Sequence, residues 1–349
     1  MTLAEEVLQG NRLALARVLT QVENETERGH QALNELFRHT GGAHLIGVTG
    51  PPGTGKSSLV NQLAHNYRNK LAGKPKRVGI VAVDPSSPFT GGAILGDRVR
   101  MRDLAGDNGV FIRSMASRGS LGGLAVATSG VVQVMDAAGF EIIFIETVGA
   151  GQAEVEIAHL AHTTLVVEAP GMGDDIQAIK AGILEIADIL VVNKADRPGV
   201  ETTVRALRNM LQLAHPVPHV FSGIDSPGYS HHIVELSDHS EPVSTSGPAG
   251  GTPTLWIPPI QRTIATEGTG VAELIGEIER HYQYLKETGE LGQREQARLK
   301  SELDILLRER LVKRWREQVT ETRYGQAVEK LVRREISPWQ AVDYLIDWS

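Results

Sequence analysis

The stretch Gly50-Pro51-Pro52-Gly53-Thr54-Gly55-Lys56-Ser57 constrains this chain more than any other feature. It fits the pattern G-x-x-x-x-G-K-[ST]. Its surroundings also fit: the apolar run Leu45–Thr49 precedes it and a helical stretch starts near Lys56. In such a loop the glycines let backbone N–H groups curl around a β-phosphate, and the N-terminus of the next helix adds a favourable dipole. Lys56 then reaches the β- and γ-phosphates and the Ser57 hydroxyl ligates Mg²⁺, with Ser58 beside it on the first helical turn. Alone, the loop says only that a nucleoside triphosphate binds.

The loop requires a strand before it and a helix after it, and the chain continues in that rhythm. His44–Thr49, Arg77–Asp84, Glu141–Glu146, Thr163–Glu168 and Asp188–Asn193 are short runs rich in Val, Ile and Leu. Runs apolar on both faces are those of strands covered by helices on each side. The expected fold is therefore α/β, a P-loop NTPase with a mostly parallel central sheet flanked by helices. Helical extensions lie at both ends: 1–42 before the domain, 43–268 for the domain, and 269–349 after it. Val271, Leu274, Ile275, Ile278, Tyr282 and Leu285 share one helical face, and a charged helix follows around Leu299–Val319. Ser337-Pro338 reads as an N-cap with proline at the first helical position, opening an apolar stripe of Trp339, Val342, Leu345 and Ile346. Residues 225–253 read as a long mobile loop, about half Ser, Pro and Gly, whose His231, His232 and His239 lack a scaffold for metal binding.

A second motif selects the base. Asn193-Lys194-Ala195-Asp196 follows the buried run Ile189-Leu190-Val191-Val192. The Asp196 carboxylate can accept both N1–H and the 2-amino group of guanine, whereas adenine offers no donor there. Such a mismatch discriminates by roughly 10⁴. Asn193 and the Lys194 stem support the loop and the ring, and Thr263-Ile264-Ala265 falls where a third base-contacting loop belongs. Asp84 ends the second run, and Asp97 follows within Gly91-Gly92-Ala93-Ile94-Leu95-Gly96-Asp97-Arg98. An acid at the carboxyl end of a strand can reach Mg²⁺ directly or through water. Glu146-Thr147-Val148-Gly149 ends the third run, with Glu146 where the common D-x-x-G switch has aspartate. The Gly149 N–H is placed to bind the γ-phosphate and Gln152 to orient the attacking water. Arg98, Arg100, Arg102, Arg113 and Arg118 lie near these segments, none in a motif that marks an arginine finger.

Several segments together resemble the MeaB/ArgK/MMAA family: Val83-Asp84-Pro85-Ser86-Ser87-Pro88, Gly91–Met101, Gly119-Ser120-Leu121-Gly122-Gly123 and Glu146-Thr147-Val148-Gly149-Ala150-Gly151-Gln152. The resemblance spans about residues 10–222 and resumes near 255–288. It implies a GTPase that serves an adenosylcobalamin-dependent acyl-CoA mutase, usually methylmalonyl-CoA mutase, by gating cofactor loading and by protecting or reactivating the enzyme. It also implies a homodimer joined through C-terminal helices, and Mg²⁺ near Ser57, Asp84, Asp97 and Glu146. Switches would span Asp84–Asn108 and Glu146–Ala158. A third resembles Glu168–Lys180, from which Lys180 reaches the nucleotide side when the mutase docks. Two stretches, 225–253 and the tail beyond about 290, are longer than the resemblance explains.

Composition narrows the rivals. A net charge of -7 argues against a broad nucleic-acid face. There are no cysteines, which removes disulfides and thiolate zinc sites. The same absence, with no His-rich tail, argues against a metallochaperone for nickel or cobalt enzymes. An ATP-dependent transport kinase, the older name in this family, conflicts with Asp196. A nucleotide-gated scaffold without turnover is the non-enzymatic alternative. No apolar run approaches the roughly 20 residues that span a bilayer, and the start Met1-Thr2-Leu3-Ala4-Glu5-Glu6 lacks a secretion signal. The expectation is a cytoplasmic protein that does not bind membranes.

Overall fold

A computed structural model describes residues 1–69, 74–85, 101–104, 106–117, 123–147, 158–171, 185–213 and 255–346. The chain divides into two compact units, Met1–Arg298 and Leu299–Ser349.

The first unit is built on seven strands: β1 (His44–Thr49), β2 (Val78–Pro85), β3 (Val110–Ser117), β4 (Ile142–Thr147), β5 (Thr163–Glu168), β6 (Ile189–Asn193) and β7 (Ile260–Thr263). Their order is β3-β2-β4-β1-β5-β6-β7, and every pairing is parallel. Parallel pairing brings all the strand C-termini to one edge, so the loops after β1, β4 and β6 converge there although they are distant in sequence. The five apolar runs read from the sequence are five of these strands. β3 is the addition. The β3 sequence VFIRSMAS carries Arg113 and Ser114 in mid-run, because it is an edge strand; among its described side chains only Val110, Phe111 and Met115 are deeply buried.

Alternate residues of each strand feed opposite cores, as the two-residue period of a strand demands. Leu45, Ile143 and Ile145 pack with the N-terminal helices α1 (Leu3–Leu8), α2 (Arg12–Glu23) and α3 (Glu27–Leu36) and with α5 (Gly123–Ala137). Ile46, Val48, Ile142 and Phe144 face α4 (Lys56–Arg68) and α7 (Val271–Thr288) on the other side. A smaller cluster joins Val166, Leu190 and Val192 to α6 (Val200–Leu213). The N-terminal helices are thus part of the core, with Val18, Leu19 and Leu36 fully buried. Their starts are set by side-chain caps, a Thr2–Glu5 capping box for α1 and Asn11 and Thr26 for α2 and α3. The segment entering β1 is gripped by Asp136 at the end of α5, whose carboxylate accepts from the N–H groups of Gly41, Gly42 and Ala43 at 2.6–3.1 Å.

Helix α8 (Glu290–Gln318) begins in the first unit and continues into the second, which also holds α9 (Glu321–Val332) and α10 (Pro338–Ile346). Ser337 caps α10: its Oγ accepts from Gln340 N at 3.3 Å and its N–H donates to the Gln340 side chain at 2.9 Å. The apolar stripe on α10 is largely open to solvent, Trp339 being 82% exposed. Among the described residues no helix is long and apolar enough to cross a membrane.

Candidate nucleotide site

The phosphate loop closes where β1 ends. Gly50 has φ 134°, and a Cβ there would lie 2.2 Å from the Val167 carbonyl oxygen. Glycine is required because the backbone is both left-handed and packed against β5. Helix α4 then starts at Lys56 with Gly55 as its N-cap and no side-chain cap bond, so its first N–H groups are directed into the loop. Thr54 is buried and donates from Oγ1 to the Pro51 carbonyl at 3.0 Å. The Lys56 ammonium is also buried and donates to the Gly50 and Pro51 carbonyls at 2.7 and 2.9 Å. Ser58 is exposed on the first turn.

The base motif is tied to this loop. Asn193 donates from Nδ2 to the Thr54 carbonyl at 2.8 Å, and Lys194 donates from Nζ to the Gly53 carbonyl at 2.5 Å. On its other side Asn193 Oδ1 accepts from Thr263 Oγ1 and from the Ala265 N–H, each at 3.1 Å. One buried asparagine therefore joins the phosphate loop, the base motif and the loop after β7. Lys194 has φ 57°, and the turn that follows leaves Asp196 exposed beside the loop.

Glu146 sits on β4 opposite Val48 of β1 and Ala82 of β2. Ser57 donates from Oγ to Glu146 Oε1 at 2.5 Å, and both residues are buried. A hydroxyl and a carboxylate in contact form a hard, all-oxygen donor pair. That pair fits Mg²⁺, which takes one or two protein oxygens plus phosphates and waters. Among the described residues no group of three or more His, Asp or Glu could hold a metal by itself, so these oxygens would act together with the substrate's phosphates. Asp84 is placed by its backbone near the end of β2, opposite Ala116. Asp97, Gly149, Gln152 and Lys180 lie outside the described residues, as do the 225–253 loop, the bulk of all three switch segments, Arg98, Arg100, Arg118 and the side chain of Arg102. Arg113 has a different task from the one its position suggested: it is ion-paired with Glu23 of α2, tying the edge strand to the N-terminal helices.

Residues 15–320 match the family described as Methylmalonyl Co-A mutase-associated GTPase MeaB. The chain belongs to this family. As a MeaB-family member it is a GTPase and binds guanine nucleotides. A protein of Pyrococcus abyssi named as a GTPase is 38% identical over 344 residues, covering 99% of this chain and 95% of its own length. The Mus musculus methylmalonic aciduria type A homolog, a mitochondrial protein, is 27% identical over 355 residues, covering 97% and 77%. Among solved structures, a LAO/AO transport system kinase superposes with a TM-score of 0.65 at 24% identity, covering 98% of this chain and 95% of its own, and thus shares the fold.

Proposed function

We propose that the chain is a Mg²⁺-dependent GTP switch serving an adenosylcobalamin-dependent acyl-CoA mutase, methylmalonyl-CoA mutase first among them. In this role it gates cofactor loading and protects or reactivates the mutase. The family's description supports the client, because it names that mutase as the associate. The observation that carries the switch is the Asn193 junction: base motif and phosphate loop share one buried side chain, so the loops hold GTP as a unit.

In this reading water attacks the γ-phosphate in line. Lys56 and the loop N–H groups hold the charge that develops on the phosphate oxygens. Ser57 and Glu146, with Asp84 and Asp97, would hold Mg²⁺, which when bound neutralises charge at the β- and γ-oxygens. Asp196 recognises guanine, with Ala265 beside the ring; Gly149 senses the γ-phosphate, Gln152 orients the water, and Lys180 acts when the mutase docks. The second unit and the end of the first form the dimerisation and partner region, within 269–349. Support comes from α8, where Leu303, Leu307 and Leu311 recur every fourth residue and are 63, 52 and 57% exposed, a stripe that a second copy would cover.

The test is to purify the chain with GTP or with GDP and to identify which cobalamin mutase comes with it. The second measurement is GTP turnover with saturating mutase. Nucleotide-dependent capture and faster turnover are expected. Unchanged turnover and no capture would sink the client assignment while leaving the GTPase intact.

A further inference from the structure

The opposite edge of the same sheet holds a second polar assembly. It sits at the start of β1, β5 and β6. His44 Nε2 lies 2.7 Å from Thr163 Oγ1, which lies 2.9 Å from His281 Nδ1. His281 Nε2 faces Asp188 Oδ1 at 3.3 Å. Asp188 also accepts both arms of Arg294 at 2.9 Å and the Thr164 N–H at 2.8 Å. Asp188 is 1% exposed and His281 0%. Beside them His162 accepts from the Leu45 N–H at 3.2 Å and meets Glu295 at 3.4 Å. Arg294 and Glu295 come from the first turns of α8, just after Gly289, whose φ of 78° separates α7 from α8 and whose surroundings are open.

Two facts give this assembly a role beyond packing. First, it grips the three strands whose other ends carry the nucleotide loops. β1 runs from His44 to Thr49, just before Gly50; β6 starts just after Asp188 and ends at Asn193; β5 runs from Thr163 to Glu168. Five residues of strand span about 17 Å, and each packed strand is a continuous physical link between its two ends. Second, the grip has discrete states. A bidentate ion pair sealed from water cannot stretch gradually; an ångström of movement at α8 breaks one arm or admits solvent. Burial pushes the Asp188 carboxyl up, but His281 and Arg294 outweigh it and hold the group well below the usual carboxylate range. The pair is therefore charged whenever it is sealed.

We infer that the Asp188–Arg294–His281 cluster is a coupling joint through which the nucleotide loops and the seating of α8 at Gly289 bias one another. The inference rests on the assignment of GTP and GDP to the loops.

Hydrogen exchange on the full chain, alone, with GDP and with a non-hydrolysable GTP analogue, tests both levels. Both nucleotides should protect 50–57 and 193–196, and peptides across 281–298 should differ between the GDP and GTP-analogue states. Protected loops with identical exchange at 281–298 would overturn the joint. Unprotected loops would overturn the nucleotide assignment beneath it. In addition, the paired variant Asp188→Asn with Arg294→Gln removes both charges together. Its ratio of GTP to GDP affinity should change by at least about fivefold, the scale of a real coupling. A folded variant with a lower melting temperature and an unchanged ratio would reduce the cluster to a structural clamp.

Discussion

The two edges of this sheet use polar groups in opposite ways. At the C-terminal edge the groups are strung on turning backbone: Lys56 and Lys194 both contact carbonyls of the phosphate loop, and Asp196 stands in solvent. At the N-terminal edge the groups are sealed: Asp188 is met from four directions by His281, Arg294, Thr164 and the Trp256 indole, which donates to the Asp188 carbonyl. The first arrangement can exchange its partners for a ligand's atoms. The second cannot give up a partner without leaving a charge stranded in a dry interior. Function and fixity thus occupy opposite ends of the same strands.

Substitutions should break this contrast in order of size. Asp188→Ala strands Arg294 and His281, so it should cost about 3–5 kcal/mol of stability by denaturant titration. A loss under 1 kcal/mol would mean the sealed edge is wetter than drawn. Lys56→Ala should leave the melting temperature near wild type but cut GTP turnover by about 10²–10³-fold, the usual effect of losing one charge-stabilising donor. A comparable loss of stability would show that the open edge is also a clamp. Asp196→Ala should weaken GTP by roughly 10–100-fold, the worth of hydrogen bonds to a charged group. It should leave ATP binding unchanged, which competition with a fluorescent guanine nucleotide would report.

The smallest effect is set by acidity. Burial pushes His44 well below its ordinary value, and its neighbours His162, His281, Lys76 and Lys286 add to the shift. Burial also lowers His162, against an opposing pull from Glu295. The unfolded chain takes up these protons as pH falls through about 6.5, while the folded chain refuses them, so stability should decline below that pH. Glu295 contributes a second loss at lower pH. Burial raises its carboxyl, but hydrogen bonds from His162 and Arg298 hold it near about 2, so its contribution fades as pH drops from the ordinary carboxylate range toward that value. Denaturant titrations from pH 7 to pH 4 should show the first loss, and His44→Gln should reduce it.

The open edge was legible in the sequence because each of its devices is local. Eight consecutive residues make the phosphate loop and four make the base motif, and each follows a run too apolar to be anything but a buried strand. The family motifs pointed to the proposed client, which no residue of Gly50–Ser57 names. β3 escaped because Arg113, which pairs with Glu23, and Ser114 interrupt the apolar run of an edge strand. The sealed edge escaped for a different reason. His44, His162, Asp188, His281 and Arg294 are scattered over some 250 positions, and each alone reads as an ordinary polar residue. What joins them is the parallel register of β1, β5 and β6, which no local pattern encodes.

The strand order also bears on how the protein is made. β1 leaves the ribosome before either of its neighbours, β4 about 100 residues later and β5 later still. At ordinary elongation rates of ~5–20 residues per second, its edges wait roughly 5–20 s for the first partner. The run Leu45–Val48, which ends buried at the centre of the sheet, is for that interval an unpaired apolar strand and an aggregation hazard. The phosphate loop, attached to the end of β1, cannot take its shape before β5 arrives to pack against Gly50. Nucleotide binding should therefore begin only after β5 has emerged.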